Sequence, residues 1–185
     1  MRFLPAAAAL MLLAGCSATP VAVSPSPTTV APPAVSPTAA AAPPVAPGGS
    51  PTVIASGLQT PWSIVRLRSG STLISERDPG VIVELTATGS VREVGAVADA
   101  VHEGEGGLLG LAYVRARGWL FAYVTTATDN RIVRYELEGD PGSYSLGEST
   151  VILSGLAKAG NHNGGRIKIG PDGLLYATVG DAGNP

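Results

Sequence analysis

After residue 50 the apolar positions fall into short runs separated by glycine-bearing turns. In the segment from Arg131 to Leu137, Val133, Tyr135 and Leu137 fall on one side while Arg134 and Glu136 fall on the other. Successive side chains of an extended chain project to opposite faces, so this period of two is that of a half-buried strand. The same reading predicts strands near 52–55, 62–67, 72–77, 80–86, 90–94, 108–114, 119–126, 131–137, 149–153, 165–170 and 174–179. No window after residue 50 offers a convincing amphipathic helix. The expected fold class is all-β.

The strands recur as hairpins. Ile64 to Leu67, a turn at Gly70 and Leu73 to Asp78 form one copy. Leu111 to Val114, a turn near Gly118 and Leu120 to Thr126 form another. Ile167 to Ile169, the turn Pro171, Asp172, Gly173 and Leu175 to Asp181 form the third. In the first and third copies an aspartate follows the turn glycine by eight positions. Turn glycines 70, 118 and 173 lie 48 and 55 positions apart. A repeat of about 50 residues with several strands per unit predicts propeller blades. A β-sandwich with irregular loops is the competing arrangement. A propeller closes with about four to eight blades, and residues 51–185 supply fewer than three. The chain is therefore expected to be an N-terminal fragment, and residues 51–185 alone to expose apolar surface and aggregate.

Composition sets the first 50 residues apart. Residues 17–50 hold nine prolines and no charged or aromatic side chain. Such a segment cannot bury a core. The reading for 16–50 is a disordered linker of polyproline II and coil, spanning on the order of 100 Å when extended. Before it, Met1 and Arg2 supply a small positive start, and the apolar run from Leu4 to Leu13 is too short for a stable spanning helix. Leu13, Ala14, Gly15 and Cys16 then resemble the lipobox of bacterial lipoprotein signals. This implies a signal peptide over 1–15, lipidation of Cys16, and an exported protein lipid-anchored to the outer face of a bacterial cell membrane. The lone cysteine excludes an intrachain disulfide and a CxxC metal site. A formal net charge of -2 gives no electrostatic attraction to nucleic acid.

Candidate chemistry concentrates in the third hairpin. His162 stands in the polar, glycine-rich run Gly160 to Arg166 just before it, a plausible place for a general base. Asp181 lies 19 residues on, beyond the hairpin's second strand. The turn at Gly173 returns both to one edge of the sheet, so the carboxylate can meet the imidazole. The bland alternative is a turn-capping histidine and a loop-closing aspartate. Gly104, Gly106, Gly107, Gly164 and Gly165 allow either close approach to a flat ligand or tight turns at blade edges. Arg166 is expected to meet a neighbouring carboxylate. His102 beside Glu103 reads as an exposed polar loop, because adjacent strand residues face opposite ways and cannot share a metal. No phosphate-cradling loop appears, which argues against a nicotinamide cofactor.

Three stretches together resemble the glucose/sorbosone dehydrogenase family, the soluble quinoprotein sugar dehydrogenases. They are Gly57 to Ile64 with Leu73 to Arg77, then Gly104 to Ala112 with its Gly-Leu-Leu-Gly type core, then the histidine segment. The resemblance implies a six-bladed β-propeller, of which this chain holds the first two to three blades, with pyrroloquinoline quinone (PQQ) and calcium. It places His162 as the catalytic base that takes the proton of a sugar's anomeric hydroxyl, and Asp181 as its support. Glu105 falls where the soluble glucose enzymes carry glutamine, and Asn161 where they carry aspartate. With Asn163, which flanks the base, these are expected near substrate or quinone. The implied activity is oxidation of an aldose at its anomeric carbon to the lactone, with electrons passed to an external acceptor. The competing function is a non-catalytic propeller that binds a surface glycan or a protein.

Overall fold

The computed structural model describes residues 46 and 48–183. The expected signal peptide, Cys16 and nearly all of the linker lie outside the described residues. From residue 61 the chain forms strands in sequence order. Strands β1 (Pro61–Arg66), β2 (Thr72–Glu76), β3 (Val81–Leu85) and β4 (Val91–Ala96) make one antiparallel sheet in the order β1-β2-β3-β4. Strands β5 (Leu108–Val114), β6 (Trp119–Thr125), β7 (Asn130–Glu138) and β8 (Ser145–Leu156) make a second, in the order β5-β6-β7-β8. Strands β9 (Ile167–Ile169) and β10 (Leu175–Ala177) pair as a hairpin. The three predicted hairpins are thus β1–β2, β5–β6 and β9–β10, the leading pairs of three successive sheets.

The sheets stack through alternate side chains. Along β6, Leu120, Ala122 and Val124 join a core with Leu73, Ile82 and Val94 of the first sheet. Phe121 and Tyr123 point the other way, into a core with Ile167 of β9. A strand buried on both faces reads as a continuous apolar run, which is why Trp119 to Val124 shows little alternation. Strand β5 changes phase midway: Leu108 and Leu111 face the first sheet whereas Leu109 and Ala112 face β9. The pairing register shifts between Leu108 and Leu111, where a bulge inserts the residue that turns the faces over.

The second sheet is therefore covered on both sides, by its predecessor and its successor in the chain. That excludes a two-layer sandwich, in which one face of each sheet meets solvent. The architecture is all-β and of propeller type. Its leading strands adjoin, β1 against β5 and β5 against β9. They meet at one hydroxyl. Ser63 Oγ of β1 accepts the Leu111 N–H of β5 at 3.1 Å and Arg166 Nη1, just before β9, at 3.3 Å. Arg166 also lies 4.2 Å over the Trp62 ring. This corrects the expectation that Arg166 meets a carboxylate; aromatic face and hydroxyl take its place.

Two strand expectations differ from the structure. Residues 52–55 form no strand; Val53 and Ile54 are exposed while Ala55 packs with Leu58 on Ile74, Val83 and Leu85, the outer face of the first sheet. The strand expected at 149–153 runs from Ser145 to Leu156. Among the described residues no helix is long and apolar enough to cross a membrane.

Candidate active site

His162 precedes β9 and Asp181 follows β10, so the hairpin brings both to one end of its pair of strands. His162 Nδ1 lies 2.9 Å from Asp181 Oδ1. The Gly183 N–H donates to the same carboxylate oxygen at 3.0 Å. The hydrogen bond from the His162 ring, and next the one from Gly183, hold the Asp181 carboxyl below the usual carboxylate range. An ionised carboxylate only accepts, so Nδ1 carries the proton. In the neutral ring the free lone pair then sits on Nε2, the atom turned away from Asp181. The imidazole is 57% exposed, open to a reactant.

The loop carrying the histidine is held from beneath by buried amides. Asn163 is 2% exposed. Its Oδ1 accepts from Asn130 Nδ2 at 3.0 Å and from the Ala159 N–H at 3.1 Å, while its Nδ2 donates to the Ala159 carbonyl at 2.8 Å. Tyr123 Oη donates to the Asn163 carbonyl at 2.9 Å. Burial pushes the Tyr123 hydroxyl up to about 12. Asn130, itself fully buried, also accepts from Thr125 Oγ1 and donates to the Ala157 carbonyl, both at 2.6 Å. Asn163, expected beside the substrate, has its side chain committed to this interior network. It braces the loop from below and does not reach the open face. Asn161 stays exposed above, its amide oxygen beside Gly183.

A second loop, before β5, closes on the first. Glu105 N–H donates to the Gly160 carbonyl at 2.8 Å, and Glu105 Oε2 accepts the His162 N–H at 2.8 Å. Lys158 Nζ reaches Glu103 Oε2 at 3.0 Å. The site glycines serve these chain-to-chain approaches. A Cβ on Gly104 would strike the Gly160 carbonyl, and one on Gly107 the Arg77 carbonyl. One on Gly164 would come within 2.7 Å of the Thr178 carbonyl, and one on Gly165 within 2.6 Å of Leu109 Cδ1. The close contact that the sequence left open is thus made by protein.

His102 lies in the same loop, its Nδ1 3.1 Å from the Gly106 carbonyl and 3.3 Å from Asp78 Oδ1. Asp78 is the first sheet's counterpart of Asp181 and is bound chiefly by Arg77 at 2.7 Å. Among the described residues no three His, Cys, Asp or Glu side chains gather to hold a metal ion. The links that the sequence did not signal are those of Glu105, Asn130 and Tyr123, each distant from His162 in the chain. An asparagine at the head of an apolar strand was the one available sign.

The fold and site together define a propeller-type scaffold that presents a loop-borne His–Asp pair where its leading strands begin. The sequence profile of the Glucose / Sorbosone dehydrogenase family matches residues 58–185, and the chain belongs to that family. It is 28% identical over 145 residues to the quinoprotein glucose dehydrogenase B of Acinetobacter calcoaceticus, covering 71% of this chain and 30% of that protein. The PQQ-bound aldose sugar dehydrogenase of Streptomyces coelicolor superposes with a TM-score of 0.68 at 39% identity, over 72% of this chain and 41% of that one. A structure from Thermus thermophilus does so with a TM-score of 0.63 at 35% identity, over 71% and 40%. The chain therefore spans well under half the length of these relatives.

Proposed function

We propose that this chain carries the proton-abstracting part of a PQQ-dependent sugar dehydrogenase, one that oxidises an aldose at its anomeric carbon to the lactone. The observation that carries the reading is the Asp181–His162 pair, 2.9 Å apart and open on its outer side. Asp181 fixes Nδ1–H, and Nε2 accepts the proton of the anomeric hydroxyl as the C1 hydride leaves the sugar. When bound, the quinone supplies the hydride acceptor, and an external acceptor later removes the electrons. The described residues fit the reacting end of such a group in that the imidazole is exposed, with Nδ1 held by Asp181 and Nε2 left to accept a proton. Of the cations flanking the His162 loop, Lys158 is engaged by Glu103, and Arg166 lies on Ser63 and Trp62. Calcium finds no ligand set among the described residues. The lipidated Cys16 and the linker would tether the enzyme to the outer face of a bacterial cell membrane.

The test is dye-linked oxidation of aldoses by the intact protein with added PQQ and calcium. His162→Ala should lower kcat by about 10²- to 10⁴-fold, the usual weight of a positioned base, with quinone affinity little changed. Near-normal turnover in that variant would end the assignment. Absence of any aldose oxidation in the wild-type protein, together with glycan or protein binding, would favour the non-catalytic propeller.

A further inference from the structure

We infer that Glu105 is a positioning residue for His162, acting through the histidine's backbone; the inference rests on reading His162 as the base. His162 adopts φ 55°, in the left-handed region that a residue with a Cβ rarely occupies. Something must hold it there, and three contacts do so. Its N–H is taken by Glu105 Oε2 at 2.8 Å, its carbonyl by the Ala182 N–H at 3.3 Å, and its ring by Asp181 at 2.9 Å. The last two lie on one side, after β10. Glu105 is the hold on the other side, from the loop before β5.

The Glu105 contact has the marks of a built clamp. It is reciprocal, since Glu105 N–H binds the Gly160 carbonyl two residues before the histidine. It is charge-assisted, a carboxylate accepting a backbone N–H. It also depends on Gly104, whose φ of 58° and missing side chain let the loop lie against Gly160. Without the carboxylate, His162 is free to return to an ordinary φ, and the Cα–Cβ bond then turns. The imidazole leaves Asp181 and Nε2 leaves its line to the substrate. A merely structural loop contact would stabilise the fold without setting the ring's direction.

The experiment compares Glu105→Ala and Glu105→Gln in the intact protein. Glutamine keeps a carbonyl oxygen at the same reach and loses the charge. Amide exchange at His162 is followed by NMR without sugar or quinone, and kcat and PQQ affinity are measured separately. Glu105→Ala should speed exchange at His162 by about 10-fold or more. It should also lower kcat by about 10- to 100-fold, the scale of a misplaced catalytic group, with PQQ affinity unchanged. Glu105→Gln should restore both to within about 3-fold of wild type. Unchanged exchange in Glu105→Ala overturns the clamp. Faster exchange with unchanged kcat overturns its catalytic bearing. A glutamine variant as impaired as the alanine one overturns the role of the accepting oxygen in favour of charge. Should His162→Ala keep its turnover, the base reading fails by itself, while the exchange measurement still decides whether Glu105 holds the histidine.

Discussion

Asp181 serves His162 through a single shared hydrogen bond, and its titration is how that bond can be followed. Its carboxyl lies below the usual range because the His162 ring and the Gly183 N–H stabilise the ionised form. Depression in the folded state means that the group stabilises the protein above its unfolded value, about 3.9. That contribution fades as pH falls through the lower folded value. Urea unfolding of wild type and Asp181→Asn, measured from about pH 5 down to about pH 3, should show a stability gap that narrows as the pH falls. A gap that stays constant or widens between about pH 5 and about pH 3 would contradict the depressed carboxyl. The effect will be small, since both side chains are more than half exposed and water screens them.

At the scale of the element, the loop before β9 rests on a buried polar network that β6 and β7 extend beneath it. Removing one donor leaves a buried acceptor unpaired, which costs about 1–3 kcal/mol. Tyr123→Phe, which strips the donor from the Asn163 carbonyl, should lower unfolding stability by that amount in a urea titration. Because burial raises the Tyr123 hydroxyl to about 12, wild-type stability should decline as pH rises from about 10 towards that value. The phenylalanine variant should lack this part of the decline. Elements with a strong pattern were legible in the sequence. The β9–β10 hairpin was marked by its Pro-Asp-Gly turn, and with it the approach of Asp181 to His162. What depended on partners was not. The run at 52–55 looks like a strand but pairs with no neighbour among the described residues. Strand β8 is longer than its apolar centre suggests, because an outermost strand paired only to β7 can be polar and exposed along most of its length. The resemblance places Asn163 and Glu105 near substrate or quinone, without signalling their contacts within the chain. Their actual partners, Asn130 and the His162 N–H, lie 33 and 57 residues away and leave no local trace.

Over the whole molecule, the sheets are joined by apolar faces and by a few buried polar ties. Glu84 of β3, fully buried, accepts from Arg92 Nη1 at 3.0 Å and from the Gly142 N–H at 2.8 Å in the β7–β8 connection. The same Arg92 nitrogen donates to the Tyr144 carbonyl at 2.9 Å. Glu84→Ala would break this tie between the first and second sheets. Because Arg92 is one-third exposed and can turn to water, the expected loss is about 2–3 kcal/mol, below the cost of stranding a fully buried charge. Thermal unfolding should register it, while turnover of the molecules still folded should be unchanged. Another tie, at Ser63, has a different consequence. Strands β1, β5 and β9 converge on its hydroxyl, and the arginine that reaches it stands four residues from the histidine. Prying the first sheet outward would tug on that guanidinium before it disturbed the hairpin itself. The accuracy with which the imidazole is aimed is therefore inherited from how tightly the hub of the wheel is drawn together.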